Sequence, residues 1–124
     1  MKKVICSEKA PGAIGPYSQA IEANGMVFVS GQLPINAATG TMAETIEEQS
    51  RQSLENVKHI LEEAGLSMKN IVKTTVFLAD MSLFAGMNGV YTTFFEGDFP
   101  ARSAVAVKGL PKDALVEIEC IAVR

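Results

Sequence analysis

The nine residues Leu115-Val116-Glu117-Ile118-Glu119-Cys120-Ile121-Ala122-Val123 divide cleanly when every second side chain is taken together. Successive side chains of a strand point to opposite faces. Val116, Ile118, Cys120 and Ala122 then form a uniformly apolar face, and Leu115, Glu117, Glu119, Ile121 and Val123 form the other. A strand with one wholly apolar side must be covered on that side by another layer. The segment before it, Arg102 to Val107, also reads as a strand, and Lys108 to Ala114 reads as the turn of a terminal hairpin. Along it Ser103, Val105 and Val107 face one way, and Arg102, Ala104 and Ala106 the other. If the more apolar faces of the two strands coincide, Arg102 lies on the same side as Glu117 and Glu119. A slip of one residue would invert that placement.

Working towards the N-terminus, Phe84, Met87, Tyr91 and Phe94 recur at helical spacing behind Ser82, a candidate cap. Gly86 and Gly89 each weaken that helix by about 1 kcal/mol relative to Ala, so it depends on packing. Ile71 to Leu78 is continuously apolar except for Lys73, Thr74 and Thr75, which suits a central strand covered on both faces. Thr45-Ile46-Glu47-Glu48 fits a capping box, as does Thr41-Met42-Ala43-Glu44 one turn earlier. Leu54, Val57, Leu61 and Ala64 follow as an apolar stripe. Glu47, Arg51, Glu55, Lys58 and Glu62 lie opposite, and Gly65 supplies the stop. His59 sits in this charged helix and is read as a solvated surface residue. Asn24-Gly25 between Ser18–Ala23 and Met26–Ser30 is a hairpin signal, because both residues tolerate positive φ. Gly31-Gln32-Leu33-Pro34 is expected to break the strand, and Val4-Ile5-Cys6 to form a short one. The order β-β-β-α-β-α-β-β predicts one α+β domain over residues 1–124, a mixed sheet with two helices on one face.

The composition supports a folded chain. Of 124 residues, 48% are hydrophobic and 20% charged, which argues against disorder, and with aromatics at 6% and no Trp the core must be aliphatic. A net charge of -3 and scattered basic residues argue against nucleic acid as a partner. No stretch approaches the ~20 consecutive apolar residues of a membrane span. The basic Met1-Lys2-Lys3 is followed too soon by Ser7-Glu8-Lys9 to be a signal peptide, so a cytoplasmic protein is expected. Cys6 and Cys120 with the single His59 cannot assemble a metal cluster, and both thiols read as core or interface residues.

Arg102 near Glu117 has two readings on the residues alone. One is a cross-strand ion pair. The other uses the planar guanidinium fork to grip a small carboxylate in bidentate geometry, while a neighbouring glutamate holds or activates a water. Ala104 and Ala106 would leave room beside the arginine. Tyr17, after the turn Ile14-Gly15-Pro16, reads as a packed ring or a pocket wall. Ser30-Gly31 ends a strand where glycine permits close approach of a ligand to the backbone. Asn88 shares a helix face with Phe84, Tyr91 and Phe95, and needs hydrogen-bond partners if buried. Phosphate loops, GxSxG elbows and HExxH motifs are absent from the sequence.

From Ala10 to Val123 the chain resembles the RidA/YjgF family of reactive-intermediate deaminases. The resemblance is carried by Ala10-Pro11-Gly12-Ala13-Ile14-Gly15-Pro16-Tyr17, Ser30-Gly31-Gln32-Leu33-Pro34, Val72-Lys73-Thr74-Thr75-Val76-Phe77 and Asn88-Gly89-Val90-Tyr91. Pro100-Ala101-Arg102-Ser103 and Leu110-Pro111-Lys112-Asp113 leading to Val116-Glu117-Ile118-Glu119 complete it. It implies a chorismate-mutase-like α+β fold, a homotrimer with clefts between subunits, and no cofactor. It also implies hydrolysis of 2-enamine and 2-imino acids, such as 2-aminoacrylate, 2-iminopropanoate and 2-iminobutanoate, to 2-keto acids and ammonia. On the matching positions Arg102 would clamp the substrate carboxylate and Glu117 would position the attacking water. Tyr17, Ser30, Gly31, Asn88 and the backbone at Ala104 would line the pocket. Many family members have a cysteine where this chain has Ala104, which points to water rather than a thiol as nucleophile. The alternative is a trimeric carboxylate-binding or chaperone-like protein without turnover.

Overall fold

A computed structural model describes residues 1–124. In chain order the elements are β1 (Lys3–Ile5), β2 (Ala20–Ala23), β3 (Met26–Gln32), α1 (Ile46–Glu63), β4 (Ile71–Leu78), α2 (Phe84–Thr92), β5 (Ala101–Ala106) and β6 (Val116–Val123). The strands form one six-stranded sheet in the order β1-β2-β3-β6-β4-β5. Only the β4–β5 pair is parallel, as the intervening crossover α2 requires; the remaining pairs are antiparallel. The chain therefore has the mixed-sheet α+β arrangement expected from the element order. Neither helix is long and apolar enough to cross a membrane.

Several local readings survive intact. The β2–β3 hairpin turns on Asn24 and Gly25 with φ of 52° and 74°, the left-handed pair that a tight hairpin needs. Thr45 caps α1, its side chain accepting from the Glu48 N–H at 3.2 Å, so the later of the two candidate starts is used, as a one-sided cap without the return bond from the Glu48 side chain. Both helices cover the β6 face that carries Val116, Ile118, Cys120 and Ala122. One cluster joins Val57, Ile60 and Leu61 of α1 to Val27, Val29 and Cys120. A second joins Leu54, Met87 and Tyr91 to Val76, Leu78, Val116 and Ile118.

Others are corrected. β5 and β6 are not a hairpin: β4 lies between them, pairing with β5 on one side and β6 on the other. The uniformly apolar face of β6 suits a place inside the sheet, whereas β5 becomes an edge strand. β4 is therefore next to the edge, and only one of its faces is covered within the chain. Ile71, Thr74, Val76 and Leu78 are buried beneath the helices, while Lys73, Thr75 and Phe77 stay partly open. Gly31 does not end β3. Instead Ser30 and Gly31 together oppose Glu119, a bulge that lets the strand run on to a buried Gln32. The turn before α2 is capped by Asp80, which accepts from the Ser82 N–H at 2.8 Å, so Ser82 is not the cap. His59 is only partly exposed, with Nδ1 buried and unpartnered.

Candidate active site

The strand order decides where Arg102 and Glu117 stand. On β4, Thr74 is paired with Arg102 on one side and with Cys120 on the other, so Arg102 points to the helix-covered face. Phe77 is paired with Glu117 and with Val105, and Thr75 with Glu119 and Ser103. Glu117 and Glu119 therefore share the open face with Ser103 and Val105. The expected common face for Arg102 and Glu117 is overturned: within one chain they lie on opposite sides of the sheet. The more apolar side of β5 does not match that of β6, because Val105 is left 45% exposed on the open face.

Around Arg102 a cradle is built from α2. Its guanidinium carbon lies 4.7 Å from the Tyr91 ring centroid and 5.4 Å from that of Phe84. Nη1 donates to Asn88 Oδ1 at 2.6 Å. Phe84, Asn88 and Tyr91 are separated by four and three residues, so one helix face presents all of them to β5. The Tyr91 hydroxyl is fixed in turn by Thr74 Oγ1 at 2.7 Å, a fully buried contact, and burial pushes the phenol pKa upward. The ion pairs of the chain are His59–Glu55 and Arg124–Glu22, so Arg102 has no carboxylate partner of its own. The ion-pair reading of Arg102 is thereby removed within the chain. The guanidinium keeps most of its five N–H donors for an outside acceptor. Ala104, two residues along on the same face, is half-buried against the Met87–Tyr91 cluster.

A second group gathers at the β3 bulge. The Glu117 carboxylate rests on Gly31: a Cβ added at residue 31 would overlap Oε2 and stand 2.8 Å from Cδ. Burial raises the Glu117 pKa above the ordinary carboxylate range, and the Glu119 carboxylate raises it further. A half-buried carboxyl of raised pKa is suited to exchanging a proton with a bound water or substrate. Tyr17 and Gly31 line one small recess of about 30 Å³ with Ile14, Leu33 and Ile35. The Tyr17 hydroxyl accepts from the Ile14 N–H at 3.4 Å. Ser30 Oγ donates to Ser18 O at 2.7 Å, which ties the bulge to the loop bearing Tyr17. The candidate residues thus form two half-sites, one of Arg102, Asn88 and Ala104, the other of Glu117, Gly31, Ser30 and Tyr17. Phe84 and Tyr91 as the guanidinium's walls went unassigned; their spacing with Asn88 was the available signal.

Neither thiol joins either half-site. Cys120 lies on the covered face, where burial pushes its pKa up to about 12. It is a neutral thiol at physiological pH, not a nucleophile. Cys6 is exposed beyond the end of β1, in a cleft with His59 and Glu62.

Gly31→Ala follows from this geometry as a test. The clashing atoms are the mobile end of Glu117, so the carboxylate can swing away and the fold survive. Turnover is expected to fall about 10²-fold, the effect of displacing a reacting group by about 1 Å. A circular dichroism melt close to wild type should accompany it. Full activity in a well-folded Gly31→Ala variant would show that the Glu117 position does not matter.

A family model described as endoribonuclease L-PSP matches residues 7–124. The chain is 54% identical over 127 residues to the 2-iminobutanoate/2-iminopropanoate deaminase of Salmonella typhimurium, covering 100% of this chain and 99% of that protein. Escherichia coli TdcF with bound serine has the same fold, with a TM-score of 0.96 at 50% identity and 98% of each chain covered. The yjgF gene product of E. coli likewise gives a TM-score of 0.96 at 51% identity, again with 98% of each chain covered.

Proposed function

The chain belongs to the RidA/YjgF family, described also as endoribonuclease L-PSP, and from that premise we propose that it hydrolyses 2-imino acids to 2-keto acids and ammonia. The observation that carries the reading is a guanidinium without a carboxylate of its own, set against the Tyr91 and Phe84 rings and oriented by Asn88. Such a fork recognises a planar carboxylate. The deaminase name of the Salmonella relative and the serine bound to TdcF, itself a small α-carboxylate, support the same substrate class. A net charge of -3 matches RNA's phosphate backbone poorly, so the small-molecule reading is preferred to the ribonuclease named in the family description.

In the proposed reaction an enamine first tautomerises to the imine by gaining a proton at C3 and losing one from nitrogen. Arg102 holds the carboxylate, which places C2 and its C=N bond in a fixed direction. Glu117 accepts a hydrogen bond from water and orients its oxygen towards C2. As the C–O bond forms, the water gives one proton to Glu117 and the C=N π electrons pass to nitrogen, which takes a proton from solvent. Glu117 returns its proton to the amine nitrogen of the carbinolamine. The C–N electrons then leave with ammonia as the hydroxyl proton passes to Glu117 and the C=O bond forms, giving the 2-keto acid. The raised pKa of Glu117 suits both halves of this exchange. Cofactor chemistry is not required by any step.

Arg102 and Glu117 must meet at one substrate, yet in a single chain they lie on opposite faces, with β4 between their strands. β5 and β6 are thus about 9–10 Å apart. In a 2-imino acid C2 is bonded directly to the carboxylate carbon, so one chain cannot place both residues on it. A homotrimer supplies the missing half from a neighbour. The open sheet face, with Phe28 at 42% and Val105 at 45% exposure, is the surface such an assembly would cover. Sedimentation at micromolar concentration is expected to show a trimer; a stable, active monomer would eliminate the shared-site model. The function itself is tested by generating 2-aminoacrylate in situ in the cytoplasmic pH range and following 2-keto acid release. Acceleration over buffer is expected. Binding of 2-keto acids without acceleration would favour the non-catalytic carboxylate-binding alternative.

A further inference from the structure

The buried face of α1 is not purely apolar: Ser53 and Asn56 are both 0% exposed. Polar groups buried this deeply are costly unless each finds a partner. Ser53 Oγ donates to Gln32 O at 2.9 Å. Asn56 Nδ2 donates to Leu33 O and to Ile35 O, each at 3.0 Å, and its Oδ1 accepts from Gln52 Nε2 at 2.9 Å. Both thus fasten the same short segment, the chain leaving β3. That segment begins beside the bulge. Gln32, whose carbonyl Ser53 holds, reaches back with its own Nε2 to Ser30 O at 3.0 Å, so the two ends of the Ser30–Gly31 bulge are bound to each other. The carboxylate of Glu117 lies directly on Gly31.

We infer that Ser53 and Asn56 are positioning residues for the Glu117 half-site, holding the 32–35 segment by its carbonyls and so setting the Gly31 backbone against which the carboxylate rests. The inference deepens the deaminase reading and rests on it for its kinetic consequence. A bulge leaves an unpaired residue in the ladder and is a place where a strand bends. Without an outside tether, Gly31 could shift by fractions of an ångström, and the contact with Glu117 would shift with it. The helix supplies that tether without touching substrate. Neither residue is charged. The titratable groups on the face of Glu117 are Glu119 on its own strand, Lys73 on β4, Tyr17 in the loop before β2 and Lys2 ahead of β1, while β3 and β5 add none there. Replacing Ser53 or Asn56 therefore reaches Glu117 through geometry and hydration alone.

The test uses the full chain with Ser53→Ala and Asn56→Ala. Because the Arg102 cradle is untouched, KM is expected to change less than about twofold while kcat falls about 10- to 10²-fold. The acid limb of the pH–rate profile is expected to move to lower pH as water reaches the Glu117 carboxyl. Titration of that carboxyl by carbon-detected NMR gives the same quantity independently of turnover. Should Asn56→Ala be unfolded at the assay temperature, the milder Ser53→Ala decides, and Ser53→Cys, which keeps a weak donor, should recover part of kcat. Wild-type kcat and an unmoved Glu117 titration in folded Ser53→Ala overturn the inference. If wild-type protein shows no turnover, the deaminase reading fails by itself. The NMR titration then still decides whether these residues position Glu117.

Discussion

Arg102→Ala is expected to lower kcat/KM by roughly 10²–10³-fold, the consequence of losing about 3–4 kcal/mol of charged, desolvated recognition. The loss should appear first in KM, since the carboxylate is held in ground and transition states alike, and then in kcat as C2 loses its direction. Arg102→Lys is the sharper experiment. Lysine keeps the charge, yet an ammonium cannot offer two parallel donors, nor a planar cation against the Tyr91 and Phe84 rings. It should recover little of the lost activity. The variant should nevertheless fold, because Arg102 sits on an edge strand and its hydrogen-bond partner is one side-chain oxygen of Asn88. Calorimetric titration with a 2-keto acid separates binding from turnover. Near-normal activity in a correctly folded Arg102→Ala protein would reject the carboxylate clamp.

Glu117→Gln should reduce turnover by ~10²–10⁴-fold, the usual range for a general base, and leave 2-keto acid binding through Arg102 largely intact. Its effect on stability should run the other way. The folded-state pKa of Glu117 is raised, so between the ordinary and the raised value the folded chain binds a proton that the unfolded chain has released. Stability therefore falls as pH rises through that window, and the penalty is complete above it. Glutamine removes the penalty, so the variant's melting temperature should equal or exceed that of wild type at neutral pH. The difference should vanish below pH ~4, where the carboxyl is protonated in both states. Activity lost together with stability at neutral pH would mean that Glu117 serves the fold rather than the reaction. The companion variant is Cys6→Ala, Cys120→Ala. With the Cys120 thiol pushed up to about 12 by burial, this thiol-free protein should turn over normally. Failure to turn over in a protein that folds and binds would overturn the water-based mechanism.

Where local chemistry alone selects a conformation, the chain could be read directly. Asn24-Gly25 makes its left-handed turn, Thr45 caps α1, and β6 buries the alternate residues that its pattern singles out. The candidate residues also emerge as groups rather than scattered positions: Asn88 does meet Arg102, and Gly31 does meet Glu117. The relation between the two groups was not legible. Reading β5 and β6 as a hairpin put Arg102 and Glu117 on one face, whereas the intervening β4 puts them on two. Ser53 and Asn56 were likewise silent, since a polar residue on a helix looks solvated until the loop it holds is seen.

By itself, then, the order of residues determined the element types, the covered face of β6, the β2–β3 turn and the cap of α1. Each of these depends on side-chain periodicity or on the φ preference and hydrogen-bonding reach of neighbours within a few positions. Only the tertiary structure decided the strand order, and with it which face of the sheet each functional side chain occupies. Pairing partners in a sheet are chosen by long-range burial, and inserting one strand between two others reverses faces without altering a single local preference.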